Sequence, residues 1–302
     1  MIDISVRRLP ANQTSSVSGP DYRQRRRSAP ARLQRGRRTT RTPRAGKIAE
    51  MSPLGPASPH VGGRRREAHV LVAVKDLQLA KSRLAAELGA TDRRRLVLAM
   101  LADTLRAAGE VPGVGAMTVV TPDAEVGRAA AAAGAAVFAD PHRFPREATE
   151  GGGEAGLNAA LAAAAADARR VDRGITVVAL QADLPALRTA ELSAAIGAAA
   201  GAGPGRAVVV DRHGTGTAAL VCVDPDRDLD PGFGPDSARR HIDGGAQSLH
   251  GHWPGLRTDV DTIDDLRVAT ALGVGPHTGA VLADWLAPPA LFAHSDEHHD
   301  SR

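Results

Sequence analysis

A single cysteine, Cys222, stands among 302 residues. That excludes an internal disulfide framework and fits a reducing compartment. Cys222 lies in an apolar run and reads as a core residue rather than a nucleophile. No run of 18 apolar residues occurs, and the Ala-rich stretch 129–136 is too short and too weakly hydrophobic to cross a bilayer. The expectation is a soluble, cytoplasmic protein with no membrane partner. The sequence also lacks a G-x-x-x-x-G-K-[ST] phosphate loop, a G-x-S-x-G elbow and any Cys/His set with zinc spacing, which removes the usual NTPase, hydrolase and zinc readings.

Lysine is the scarcest of the charged residues, and the charges that are present are unevenly placed. Residues 1–66 hold 15 Arg and one Lys against Asp3, Asp21 and Glu50, so this segment carries +13 and the rest of the chain −9. With few periodic apolar residues, 1–66 reads as a disordered Arg-rich tail. It is poor in acids, as organellar transit peptides are, and a start near Met51 explains it equally well. The folded part is acidic, so the basic tail permits loose attraction to polyanions but no specific nucleic-acid partner is expected. Residues 288–302 are polar, and His294, His298 and His299 there read as a solvated tail.

Between these tails, residues 67–287 alternate short apolar runs with long helical segments. That pattern predicts one α/β domain with a mostly parallel sheet and helices on both faces. Strands are expected at about 70–74, 117–121, 135–139, 175–181, 207–211 and 217–223. Helices are expected at 80–88, 92–108, 123–133, 156–168, 189–200, 236–244 and 262–272, with Thr91 or Asp92, Pro122-Asp123, Thr189 and Thr262 opening four of them. Gly151-x-Gly153-x-x-Gly156 imitates a dinucleotide fingerprint but follows a polar loop instead of a strand. Asp224, Asp226 and Asp228 imitate a calcium loop, but Leu229 stands where Gly is needed and Pro235 where Glu is needed.

Beyond residue 66 there are only two lysines, Lys75 and Lys81. They lie six positions apart in A-V-K-D-L-Q-L-A-K-S-R-L, which leaves the carboxyl end of the first strand, where open α/β sheets bind ligands. A compact ammonium suits a polyphosphate, so Lys75, Lys81 and Arg83 are candidates for a triphosphate, against a reading as ordinary helix-surface charges. The run Ile175–Gln181 delivers Asp183 to a strand's carboxyl end, a place for a metal ligand. Thr258-Asp259-Val260-Asp261-Thr262 puts two carboxylates on one side of an extended piece. They could complete a Mg²⁺ site with Asp183, although Asp261 could equally cap the following helix. In Phe233-Gly234-Pro235-Asp236-Ser237-Ala238-Arg239-Arg240-His241, Gly permits close backbone approach and Ser237 would face an anion. Gly214-Thr215-Gly216-Thr217 offers two hydroxyls on flexible backbone, or a hairpin turn.

In this order, A-V-K-D-x-x-x-A-K-S-R-L, A-D-L-P, G-T-G-T, F-G-P-D-S-A-R-R-H and D-V-D-T-x-x-D-L closely resemble the CofC/FbiD family over residues 70–272. Its members are phosphoenolpyruvate or 2-phospho-L-lactate guanylyltransferases of coenzyme F-420 biosynthesis. The resemblance implies a single Rossmann-like nucleotidyltransferase domain of the GT-A/MobA type, Mg²⁺ as cofactor, and GTP and a phosphorylated three-carbon acid as substrates. The enzyme that accepts the guanosine-diphospho intermediate would be a protein partner. It further implies that Thr217, Gly234 and Ser237 hold the acid, that Asp183, Asp259 and Asp261 bind metal, and that Gly156 and Asn158 belong to the nucleotide pocket. Lys81, Arg83, Asp183 and Asp261 would carry catalysis. The rival readings are a molybdenum-cofactor or sugar-phosphate nucleotidyltransferase, whose Gly-rich opening loop this chain replaces with Lys75–Arg83, and a non-catalytic nucleotide-binding protein.

Overall fold

The computed structural model describes residues 67–77, 81–139 and 152–286. The readings made for segments 1–66 and 288–302 lie outside the described residues, as does Gly151. Seven strands form one sheet: β1 (Ala68–Ala73), β2 (Val114–Val120), β3 (Ala136–Phe138), β4 (Thr176–Leu180), β5 (Arg206–Val210), β6 (Thr217–Cys222) and β7 (Gln247–Ser248). Their spatial order is β3-β2-β1-β4-β6-β5-β7. Pairing is parallel except for β6, which runs antiparallel to both β4 and β5.

The apolar runs form strands because both of their faces are covered. On β1, Val70 and Val72 point into one core and Leu71 into the other; on β4, Val178 and Leu180 oppose Val177 and Ala179 in the same way. The first core is closed by α1 (Ala90–Gly109), α2 (Ala124–Ala132), α4 (Thr189–Gly201), α6 (Pro254–Arg257) and α7 (Ile263–Leu272). The second is closed by α3 (Gly152–Val171), whose Ala160, Leu161, Ala164, Ala165 and Ala168 form its buried stripe. At about 1.5–3 kcal/mol for each fully buried Val or Leu, this two-sided burial is the main stabilising term.

Six strands fall where expected. The two-residue strand β7 and helices α6 and α8 (Pro276–Leu286) carry too short or too weak a periodic signal and were not expected from the sequence. Of the helix expected over 80–88, residue 80 lies outside the described residues and 81–88 keep only a 3-10 turn at Ser82–Leu84; Lys81, at φ 56, is left-handed, so no helix runs through it. Asp123 caps α2 through its own carboxylate, and Thr262 caps α7 in a capping box with Asp265, as their positions suggest. Thr91 and Thr189 do not cap: Gly89 and Arg188 hold those positions, and the Thr189 hydroxyl lies 3.1 Å from Ala107 O instead. Cys222 is buried in the core.

Candidate active site at the carboxyl edge of the sheet

The chain crosses from one side of the sheet to the other between β1, which it leaves toward β2, and β4, which pairs on β1's opposite side. Such a switch point leaves a crevice above the strand ends. Lys81 follows β1 and Asp183 follows β4, and the structure brings them into direct contact there. Lys81 Nζ donates to Asp183 Oδ2 and, at 2.7 Å, to Asp261 Oδ1. Arg83 Nη1 lies 3.7 Å from Asp261 Oδ2 on the solvent side. The Lys81 and Asp183 side chains are 12% and 13% exposed, so this pairing is made largely away from water.

The supports of these acids are local and specific. Val260 N–H donates to Asp183 O at 3.1 Å, which fixes the Asp259–Asp261 segment against the loop after β4. Leu184 N–H donates to Thr104 Oγ1 on α1 at 3.1 Å. Asp265 Oδ2 accepts the N–H groups of Asp261 and Thr262 at 3.1 and 2.8 Å, while its Oδ1 takes Arg212 and His213. The helix-capping reading of Asp261 is therefore set aside: Thr262 caps α7, and the Asp261 carboxylate is free to reach Lys81.

Electrostatics distinguish Asp259 from Asp261. Burial, then the charges of Asp183, Asp261 and Asp211, raise Asp259 to about 7. For Asp261, burial pushes upward, but the Lys81 charge and hydrogen bond, with Arg83 behind them, outweigh it and hold the carboxyl below its ordinary range. Burial works against the Lys81 ammonium, yet Asp183 and Asp261 more than compensate and keep it protonated. Asp183 Oδ1 and Asp259 Oδ1 are buried without a hydrogen-bond partner. Two orphaned carboxylate oxygens beside a concentration of negative charge are what a hard divalent cation would satisfy. The expected three-acid metal set is nonetheless not preformed: among the described residues no group of three acids, histidines or cysteines closes on one point. The Lys81 ammonium instead pairs with two of the three.

The second half of the site lies on the antiparallel pair. Residues 211–216 are the loop between β5 and β6, closed by Asp211 N–H to Gly216 O at 3.0 Å, so the hairpin reading holds. Thr215 N–H donates to Asp211 Oδ1 at 3.1 Å. Thr215 O in turn accepts Ala238 N–H at 3.0 Å and draws α5 (Ser237–Asp243) onto the hairpin. Thr217 and Ser237 are each 1% exposed. Gly234, at φ 123, keeps its N–H without a partner among the described residues.

Asn158 on α3 uses both polar atoms on the backbone of Phe233: Nδ2 donates to its O at 2.9 Å, and Oδ1 accepts its N–H at 2.8 Å. The side chain expected in the nucleotide pocket is thus a clamp on the Gly232–Pro235 loop. Gly156 lies one half-turn earlier on α3, half-buried, and Lys75 is half-buried two residues beyond β1. Three further groups escaped the sequence reading: Asp211, His241 and Asp265. The last two stand inside the quoted motifs, so the signal was present, but only the fold shows what each one touches.

Curated relatives match this chain closely. It is 58% identical over 217 residues to "Phosphoenolpyruvate guanylyltransferase 1" of Rhodococcus jostii (strain RHA1), covering 71% of this chain and 92% of that protein. It is 52% identical over 221 residues to "Phosphoenolpyruvate guanylyltransferase" of Nocardia farcinica (strain IFM 10152), covering 73% and 93%. The chain belongs to the phosphoenolpyruvate guanylyltransferase (CofC/FbiD) family. It is a nucleotidyltransferase with an α/β, Rossmann-like domain. No family-wide sequence profile matches the chain. Similar solved structures include a cytidylyltransferase from Leptospira borgpetersenii, 14% identical, covering 72% of this chain and 93% of that one at a TM-score of 0.40. Among the described residues, no helix is long and apolar enough to cross a membrane.

Proposed function

We propose that this chain transfers GMP from GTP to phosphoenolpyruvate, giving enolpyruvyl-diphospho-guanosine and pyrophosphate for coenzyme F-420 biosynthesis. The observation that carries the reading is Lys81, buried between Asp183 and Asp261 at the switch point of a chain whose curated relatives bear that activity as their name. The relatives' names favour phosphoenolpyruvate over 2-phospho-L-lactate as the acid.

In the reaction, an oxygen of the acid's phosphate attacks the α-phosphorus of GTP. The α–β phosphoanhydride bond breaks, and pyrophosphate leaves with the electron pair. The nucleophile is already an anion, so the site needs no general base. What the residues must supply is alignment and positive charge. Lys81 and Arg83 do this for the phosphate chain, with Lys75 at the same edge. Thr217 and Ser237, with their hydroxyls, and Gly234, with its backbone N–H, orient the acid.

Asp183, Asp259 and Asp261 are the residues that would hold Mg²⁺, in agreement with the two orphaned oxygens. A bound Mg²⁺ would supply charge neutralisation on the reacting phosphates. A reaction that consumes GTP suits the cytoplasm, and the enzyme consuming the diphospho product is the functional partner this reading expects.

Pyrophosphate release tests the reading. The full chain is supplied with Mg²⁺, GTP and either phosphoenolpyruvate, 2-phospho-L-lactate or 3-phosphoglycerate, with ATP and CTP in place of GTP as controls. Release that requires GTP together with phosphoenolpyruvate is expected. A folded, GTP-binding protein that releases none with any pairing would return the chain to the non-catalytic reading.

A further inference from the structure

His241, on α5 beside Thr217, is 5% exposed, and both of its ring nitrogens have fixed partners. Nε2 lies 2.8 Å from the Gly232 N–H, and Nδ1 lies 2.9 Å from Thr217 Oγ1. A backbone N–H can only donate, so Nε2 is the acceptor and carries no proton. The single proton of the neutral ring then sits on Nδ1, aimed at Thr217. The surroundings keep the ring neutral: burial first, then the charges of Arg240 and Arg206, opposed only by Asp230, lower His241 to about 4. The Phe233 ring meets it edge-on at a centroid distance of 5.4 Å and shields it further.

That tautomer sets the polarity of Thr217. Its hydroxyl accepts from Nδ1–H, and its own proton has no partner among the described residues. With the opposite tautomer, Thr217 would donate to the ring and turn only lone pairs toward an anion. Building on the reading above, we propose that His241 is a positioning residue that commits the Thr217 hydroxyl to donate to the anionic group of the phosphorylated acid. Through its Gly232 hydrogen bond, it also holds the loop that presents the Gly234 N–H to the same group. Arg240 assists the second role, with Nε 3.1 Å from Gly232 O and Nη2 2.6 Å from Pro235 O.

Two measurements test this. Long-range ¹H–¹⁵N spectra of the intact protein at pH 7 should show His241 neutral with the proton on Nδ1; a ring protonated on Nε2 overturns the proposal, whatever reaction the protein performs. In steady-state assays, His241→Leu should raise KM for the acid about tenfold or more, the scale of one hydrogen bond to a charged group, and leave KM for GTP unchanged. His241→Asn, which can keep an N–H near the Nδ1 position, should recover much of that loss. In a Thr217→Val background, His241→Leu should add clearly less than it costs alone, because the hydroxyl it orients is already gone and only its hold on the Gly232–Gly234 loop is left to lose. Additive losses in the double variant, or equal rises in both KM values, would mean that His241 only supports the fold. Failure of the reaction reading shows up separately, as a wild-type protein that releases no pyrophosphate.

Discussion

Lys81 Nζ donates to Asp261 Oδ1 at 2.7 Å across 180 positions of the chain. The same ammonium binds Asp183, so one side chain ties the loops after β1 and β4 to the loop before α7. Replacing it by an apolar residue of similar length leaves two carboxylates facing each other with Asp259 close by. Lys81→Met should therefore cost about 3 kcal/mol of stability in metal-free buffer, the low end for breaking a buried pair because Asp261 is half exposed. It should also remove most turnover at saturating GTP. Urea unfolding and pyrophosphate release check the two parts, and an unchanged unfolding midpoint would mean that the pair contributes nothing.

Asp259 shows the reverse balance. Its Oδ1 is buried and unpartnered, and the charges of Asp183, Asp261 and Asp211 bear on it. Asp259→Asn removes a buried carboxylate on which three neighbouring acids bear, so the variant should melt a few degrees higher than wild type in EDTA, a gain of roughly 1 kcal/mol. The same change should abolish most activity and the stabilisation that added Mg²⁺ gives the wild type. A variant that melts lower than wild type in EDTA would mean that Asp259 is held by a partner rather than strained by its neighbours.

The fold and the site differ in how far they could be read from sequence. The six longer strands announce themselves as apolar runs bounded by turn residues, and Asp183 and Lys81 stand out because each ends or follows such a run. The 3-10 turn at Ser82–Leu84 does not, since the sequence 80–88 is rich in helix formers and nothing in it marks the left-handed backbone at Lys81. Asn158 was legible as a polar residue opening a helix near the site, but not as a clamp on Phe233, which lies 75 positions later. His241 and Asp265 sit inside recognisable strings. Their roles depend on which atoms of Thr217 and Asp261 they face, and no spacing rule encodes that.

Gly216 is required by contact, not by backbone conformation. A Cβ there would fall inside contact distance of Asp211 Oδ2, and Asp211 is 8% exposed with Oδ1 engaged by Thr215 N–H. Gly216→Ala should displace the Asp211 carboxylate and shift the neighbouring Thr217, raising KM for the acid about tenfold with a smaller effect on KM for GTP. Steady-state kinetics with each substrate varied in turn separates the two, and equal changes would mean that Gly216 acts on the fold and not on acid binding.

Asp265 offers the clearest pH signature, because it does not contact Lys81 yet anchors the backbone of Asp261 and Thr262. Burial alone would raise its carboxyl. The Arg212 hydrogen bonds, with Thr262 and His213, outweigh that and hold it well below the usual carboxylate range. A carboxyl depressed in the folded state contributes stability that is present in full above its unfolded value, near 3.8, and is lost as pH falls through the folded value. Asp265→Asn should accordingly be less stable than wild type by about 2–3 kcal/mol between pH 5 and 8. Below pH 4 the gap should narrow by about 1.4 kcal/mol per pH unit, as the wild type loses what the variant never had. Its kcat should fall although no ligand is removed, because the Asp261 carboxylate is no longer held toward Lys81. Denaturant unfolding at pH 7, 5 and 3.5 measures the gap; one that stays constant down to pH 3.5 would mean that the Arg212–Asp265 pairing does not titrate and that the segment before α7 is held by packing alone.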